Sequence, residues 1–391
     1  MELSVLLGVG IAASVFVGFN IGGSSTGIAW GPAVGADLIN KVTAAGLMTF
    51  FVFLGGWTVG RNVMETLAGD IITIPITLEA GIAVLFCIGL GILIANIFGV
   101  PVPTSMTTVG AIAGLGLATG TLNWATMGRI VSWWVVTPVI GFWIGAMIGR
   151  YLYPHLNQRF ELTRSPGPLL AVDRTGLVPR LSLGPNTTVQ ELLGTAVVIV
   201  VACYMAFSAG ASNVPNAVAP LVSGGALEVS LGIAIATVAI GLGGFTIARR
   251  TMDSVGGELS EITLLAAVIV MLTAASITTF LSYIGIPISL VMSTIMTIVG
   301  LGWGRATRSV AGSELGEVVY GEADVELPMG AITADAPDEV TKIGDREPRA
   351  IRESTELFNP RAVAKYVSMW IIGPTVSVGL SYLFFVLVAL V

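Results

Sequence analysis

Gly22-Gly23-Ser24-Ser25-Thr26-Gly27-Ile28-Ala29-Trp30-Gly31-Pro32 is a small, hydroxyl-rich stretch wedged between two apolar runs. It returns 188 residues later as Gly210-Ala211-Ser212-Asn213-Val214-Pro215-Asn216-Ala217-Val218-Ala219-Pro220. The Gly-small-Ser-polar opening and the Ala-x-small-Pro close are shared. In a membrane protein, paired Gly/Pro interruptions at corresponding places in two halves point to a substrate site made of broken helices at the repeat interface. The expectation is a transporter.

Working outward, 54% of the 391 residues are hydrophobic and only 11% are charged, against roughly 25% charged in an ordinary soluble domain. Apolar runs long enough to cross a bilayer fall near residues 3–21, 42–60, 78–98, 102–119 and 127–149, and then near 192–209, 229–248, 262–284, 287–304 and 366–390. With about 20 apolar residues per span, this reads as an all-α polytopic membrane protein. The first run has no basic leader and no cleavage site, so it is read as a span of the mature chain.

Further matches extend the repeat. Leu54-Gly55-Gly56-Trp57-Thr58-Val59-Gly60-Arg61, with Glu65 after it, corresponds to Leu242-Gly243-Gly244-Phe245-Thr246-Ile247-Ala248-Arg249, with Asp253, again 188 residues on. Gly99-Val100-Pro101-Val102 corresponds to Gly285-Ile286-Pro287-Ile288 at 186, and Val131-Ser132-Trp133-Trp134 with Pro138 to Val367-Ser368-Met369-Trp370 with Pro374 at 236. The larger last offset locates an insertion of about fifty residues between Gly304 and Lys365; four ordered matches with Gly and Pro in register exceed chance.

The organisation expected is therefore two five-span repeats of opposite orientation, each with a re-entrant broken-helix element. An N-terminal transmembrane repeat would cover 1–150, a cytoplasmic linker 151–190 and a C-terminal transmembrane repeat 191–304. An acidic cytoplasmic loop would cover 305–364, and the last transmembrane helix 365–391. With both termini outside, sixteen of the eighteen basic residues lie on the inner side, Arg61 and Arg129 excepted, as the positive-inside rule requires. The acidic loop buries too little apolar surface to fold alone.

Several chemistries lack material. His155 is the only histidine, and Cys87 and Cys203 sit inside apolar runs with no CxxC spacing. There is no metal-ligand cluster, no G-x-S-x-G elbow and no intramembrane carboxylate pair, so the chain is not read as an enzyme, nor as a nucleic-acid binder. An acidic chain of this composition meets membrane lipid.

The paired motifs, the Pro-Val-Pro-Thr-Ser stretch before the fourth span and the central loop resemble the inorganic phosphate transporter (PiT) family and its related sulfate permeases, as a divergent anion permease branch. The best local match is Gly210 to Ala217, then Gly99 to Ser105. The resemblance implies cation-coupled uptake of a small inorganic oxyanion, most directly phosphate, across the cytoplasmic membrane, and a homodimer. Sulfate, another anion or a passive anion channel are the alternatives. The family's Asp is replaced by Ser25 and Asn213, its first Asn by Ser24 and Ser212; its second Asn is Asn216, opposite Ile28; its His becomes Met106 and Met292.

An anion in the bilayer needs donors to replace its water. Helix N-termini supply free amides, approached through Gly22, Gly23, Gly210 and Ala211. Ser24, Ser25, Thr26, Ser212, Asn213 and Asn216 add neutral donors, joined by Thr104, Ser105 and Thr107 after one proline and Ser289, Ser293 and Thr294 after the other. The loss of carboxylates leaves a coupling ion, sodium or proton, without charged ligands. Sodium would use oxygens of Ser24, Ser212, Asn213 and Asn216. No cofactor is expected. Arg61 with Glu65, and Arg249 with Asp253, are read as i,i+4 pairs at helix ends. Trp133, Trp134, Trp370, Met106 and Met292 are read as packing.

Overall fold

The computed structural model describes residues 2–97, 103–160, 170–173, 180–183, 187–246, 263–307 and 360–389. Residues 308–359 of the acidic loop, the Gly99–Val102 match and the Arg249–Asp253 pair lie outside them, as do linker residues 161–169, 174–179 and 184–186. Twelve α-helices carry the described chain: α1 (Glu2–Gly35), α2 (Lys41–Trp57), α3 (Gly60–Glu65), α4 (Leu78–Ile97), α5 (Thr104–Thr119), α6 (Trp124–Met147), α7 (Tyr153–Arg159), α8 (Val189–Ser223), α9 (Val229–Thr246), α10 (Leu264–Tyr283), α11 (Leu290–Ala306) and α12 (Pro360–Ala389). Single π-helical turns follow α3 (Thr66–Asp70) and α6 (Ile148–Leu152). A short antiparallel hairpin, β1 (Leu170–Asp173) with β2 (Arg180–Leu183), stands in the linker, where no strand was expected.

Helix starts follow from local chemistry. Asn40, Asn123, Thr188, Thr263 and Ser289 sit at N-caps, and their side-chain oxygens accept from first-turn amides, which would otherwise lack partners. Among the described residues, six helices are long and apolar enough to cross a membrane, or seven if the bent pair Lys41–Trp57 and Gly60–Asp70 is one span. The protein is a multi-pass helical membrane protein. Exposed apolar side chains such as Val135, Val139, Trp143, Ile371, Leu383 and Leu387 cover the outer faces of α6 and α12, where hydrocarbon rather than water is the solvent.

Two expectations are corrected. The motifs Gly22–Pro32 and Gly210–Pro220 lie inside the continuous helices α1 and α8, of 34 and 35 residues. At 1.5 Å per residue each is about 50 Å long, beyond the ~30 Å hydrocarbon layer. Small residues at these places serve close packing instead of breaking the helix. The sharp bend, 62°, falls between α2 and α3, at Thr58 and Val59. The short apolar helices are elsewhere: α11, like the described apolar part of α4, is shorter than a full span, and α5 has 16 residues.

The two halves exchange partners. Helix α1 packs along α9 and α8 along α2, while α5 packs on α12 and α11 on α6. A Cβ at Gly22 would stand 1.9 Å from the Ile240 carbonyl oxygen, and one at Gly210 would stand 2.2 Å from that of Val52. Across the same two seams, Gly55 faces the Phe207 carbonyl at 1.9 Å and Gly243 that of Phe19 at 2.0 Å. Every residue of the first contact in each pair is displaced from its counterpart by the same 188 positions. Small residues that let backbones touch are how helices associate where lipid removes the hydrophobic drive. The core between them is built from Val17, Ile21, Met48, Ile88, Met205, Val218 and Ile240, all buried.

Candidate functional site

Helix α5 begins at Thr104 directly after Pro103, which has no amide hydrogen and cannot continue a helix backwards. Helix α11 begins after the N-cap Ser289, whose hydroxyl oxygen accepts from the Met292 amide at 3.4 Å. These two starts meet: the Ser105 hydroxyl lies 3.0 Å from the Ile288 carbonyl oxygen and 3.4 Å from that of Ser212. Two helix N-termini, with their partial positive charge and unpaired first-turn amides, therefore converge on the middle of α8.

There the side chains form one buried network. Thr104 Oγ1 donates to Asn213 Oδ1 at 2.6 Å, and Asn213 Nδ2 donates to Ser25 Oγ at 3.3 Å. Asn216 Nδ2 lies 3.0 Å from Ser105 Oγ and 3.5 Å from Asn213 Oδ1. Ser25 and Asn213 are themselves repeat counterparts, 188 residues apart, and touch where the halves meet. All six of Ser25, Thr104, Ser105, Ser212, Asn213 and Asn216 are buried.

Two atoms of this neighbourhood have no hydrogen-bond partner among the described residues: Asn216 Oδ1 and Thr108 Oγ1, both on fully buried residues. A dry polar atom without a partner costs about 1–3 kcal/mol, so these mark where a ligand would repay it. Pro215 and Pro220 lie within α8. Lacking amide hydrogens, they leave the Ala211 and Asn216 carbonyls without their helical donors.

Other expected site residues have different work. Gly22 and Gly210 face carbonyls of α9 and α2, and Ala211 packs beside Gly55 and Gly60. Gly23 backs onto Gly243. These positions are helix seams and not approaches for a ligand. Thr26 Oγ1 donates to the Gly22 carbonyl at 2.7 Å, Thr107 to Pro103 at 3.3 Å and Thr294 to Leu290 at 2.8 Å. Such bonds to the preceding turn are common for hydroxyls in helices. Ser293 donates to the Ser289 carbonyl and receives Thr278. The Ser24 side chain is not among those described. Arg61 does not serve as a simple i,i+4 partner of Glu65: its guanidinium lies 4.6 Å from the Trp57 ring centre and bonds the Trp57 carbonyl and Ser230 Oγ.

Sequence reasoning passed over the stretch leading into α11. Gly285 has φ +76°, a conformation open to glycine. Asn62 Nδ2 donates to the Tyr283 carbonyl at 2.5 Å, and Trp134 Nε1 donates to the Pro287 carbonyl at 2.9 Å. Elements of the first half thus fix the backbone that carries Ile288 into the site. The Gly-x-Pro repeat was the available signal, and it was read as a repeat match and for the hydroxyls after it, not for the backbone it carries.

Among the described residues no three His, Cys, Asp or Glu side chains gather as a metal cluster, so a cation in this network would meet neutral oxygens such as Asn216 Oδ1. Hard neutral oxygens of this kind suit sodium.

Comparison with known proteins gives one consistent picture. The sequence pattern of the phosphate transporter family matches residues 21–381. The sulfate permease CysP of Bacillus subtilis is 29% identical over 78% of this chain and 78% of its own length. The chloroplastic inorganic phosphate transporter 2-1 of Arabidopsis thaliana is 24% identical over 82% of this chain and 69% of its own. A solved structure described as the sodium-dependent phosphate transporter superposes with a TM-score of 0.69 at 20% identity, covering 99% of this chain and all of that one.

Proposed function

Since this chain belongs to the phosphate transporter family, we propose that it is a secondary transporter for a small inorganic oxyanion, phosphate first, whose site is the network between α5, α8 and the start of α11. The observation that carries this reading is the meeting of two helix N-termini over buried, neutral Asn213, Asn216 and Ser105. An oxyanion would take over the donors that Thr104 now directs at Asn213, Ser105 at the Ile288 carbonyl and Asn213 at Ser25. It would also lie in the field of both helix starts, which favours negative charge. A carboxylate at Ser25 or Asn213 would oppose it; neutral donors do not.

Alternating access follows from an inverted repeat, and the exchange of helix partners with a constant 188-residue offset supports that arrangement. In it α5 and α11, of 16 and 17 residues, are among the shorter elements. Both termini lie outside the cytoplasmic membrane, and segments 151–190 and 305–364 lie inside, in keeping with the positive charge there. Sodium is the coupling ion this site suits: Asn216 Oδ1 and the neighbouring hydroxyl oxygens would bind it without a charged ligand. The assembly is a homodimer.

Sulfate is the second reading, favoured by the likeness to a sulfate permease. Uptake of labelled phosphate and of labelled sulfate into proteoliposomes, with sodium and proton gradients imposed one at a time, decides between them. Phosphate accumulation driven by sodium is expected. Equilibration without accumulation under either gradient would replace the transporter with a passive channel.

A further inference from the structure

Trp134 and Trp370 are repeat counterparts, each four residues before a proline. Their indole nitrogens are treated differently. Trp134 Nε1 donates to the Pro287 carbonyl. Trp370 Nε1 is buried and has no hydrogen-bond partner among the described residues, on a side chain only 9% exposed. Its ring packs with Met106 and Met292, both buried and both the third residue of their helices, α5 and α11. These are the first turns of the two helix starts that converge on the site. Thr108, with its own unpartnered hydroxyl, lies two residues beyond Met106.

We infer that the indole N–H of Trp370 is an anion donor of the site, reaching substrate past the first turns of α5 and α11. This deepens the transport reading above and rests on it. A phenylalanine would fill the same apolar space without a dry donor to satisfy. An indole can only donate, so its partner must be an acceptor, and a charged oxygen is the strongest one. A cation gains nothing from the N–H, and a hydroxyl oxygen gains less than an anionic one. Trp370 therefore adds selectivity for anionic oxygen in a site that has no positive side chain in its network, and the donor comes from α12, an element beyond those that build that network.

The test uses the full chain in lipid nanodiscs with indole-15N tryptophan. Replacing Trp370 by benzothienylalanine keeps the ring shape and puts sulfur in place of the N–H, and the resonance lost in that variant is that of Trp370. Titrating inorganic phosphate into the unaltered protein should move this resonance downfield in a saturable way. The sulfur variant and Trp370→Phe should each bind phosphate about tenfold more weakly, the factor that about 1.4 kcal/mol confers. A resonance that stays still while the same preparation binds phosphate would overturn the inference and leave the transport reading intact. Unaltered protein that neither binds nor moves phosphate or sulfate would remove both.

Discussion

Asn213 and Asn216 of α8 meet Thr104 and Ser105 of α5 in a hydrogen-bonded group, whereas their repeat counterparts do not. Ser25 and Ile28 of α1, with Leu290 and Val291 of α11, offer one hydroxyl among three aliphatic side chains. The glycine seams behave in the opposite way. Gly22 against Ile240 and Gly210 against Val52 repeat one backbone contact in both halves. Packing is thus held in common while polar chemistry is concentrated on one α5–α8 side. Helices must approach one another equally in both halves, but a single ligand needs each donor only once.

The first way to break this comparison is at the seams. Gly22→Val and Gly210→Val place carbon where a carbonyl oxygen stands, so each should cost about 3 kcal/mol or more. Thermal unfolding in detergent should show equal drops for the two; tolerance of one alone would end the symmetry of packing.

Polar substitutions should instead be unequal. Asn213→Leu removes the partner of both Thr104 and Ser25 and should cut phosphate uptake about a hundredfold, given about 1–3 kcal/mol for each buried group left unpaired. Ile28→Ala, at the mirror of Asn216, should stay within about twofold. Equal losses in the two would place substrate on the quasi-symmetry axis and not on the α5–α8 side.

Ser105→Ala should weaken phosphate binding about tenfold through the loss of one hydrogen bond to a charged group. Val291→Thr at its counterpart should leave binding within about twofold, and equilibrium binding of labelled phosphate measures both. The smallest effects are expected where hydroxyls bond their own helix: Thr107→Val and Thr294→Val should change uptake by less than about twofold and stability by about 0.5 kcal/mol. A large loss at Thr107 would extend the site one turn along α5.

Much of the fold could be read from the residues. The expected runs 78–98, 229–248 and 262–284 became Leu78–Ile97, Val229–Thr246 and Leu264–Tyr283, because a bilayer demands long apolar helices and little else satisfies the backbone there. Gly22–Pro32 was misread as an interruption. Glycine and serine are poor helix formers in water, but a neighbouring helix pressed against Gly22 supports the helix through tertiary contact. Spacing also could not show that Thr104 reaches Asn213, 109 residues away. Hydroxyls in register with a proline all look alike in sequence; whether each bonds its own helix, as Thr107 does, or another, as Ser105 does, depends on which face the partner helix covers. The 62° turn at Thr58 had no proline to announce it.

The exchanged helix pairs also bear on how the molecule is made. When the first 150 residues have entered the bilayer, α1, α2, α5 and α6 are present, but their partners α9, α8, α12 and α11 have yet to leave the ribosome. Grooves shaped for another backbone's carbonyl oxygens are then lined only by lipid. The nascent N-terminal half is in this sense one side of a zip, waiting in the membrane for teeth that translation delivers later. A gene cut within 151–190 should accordingly yield uptake when both fragments are produced in one cell, and none from either fragment alone.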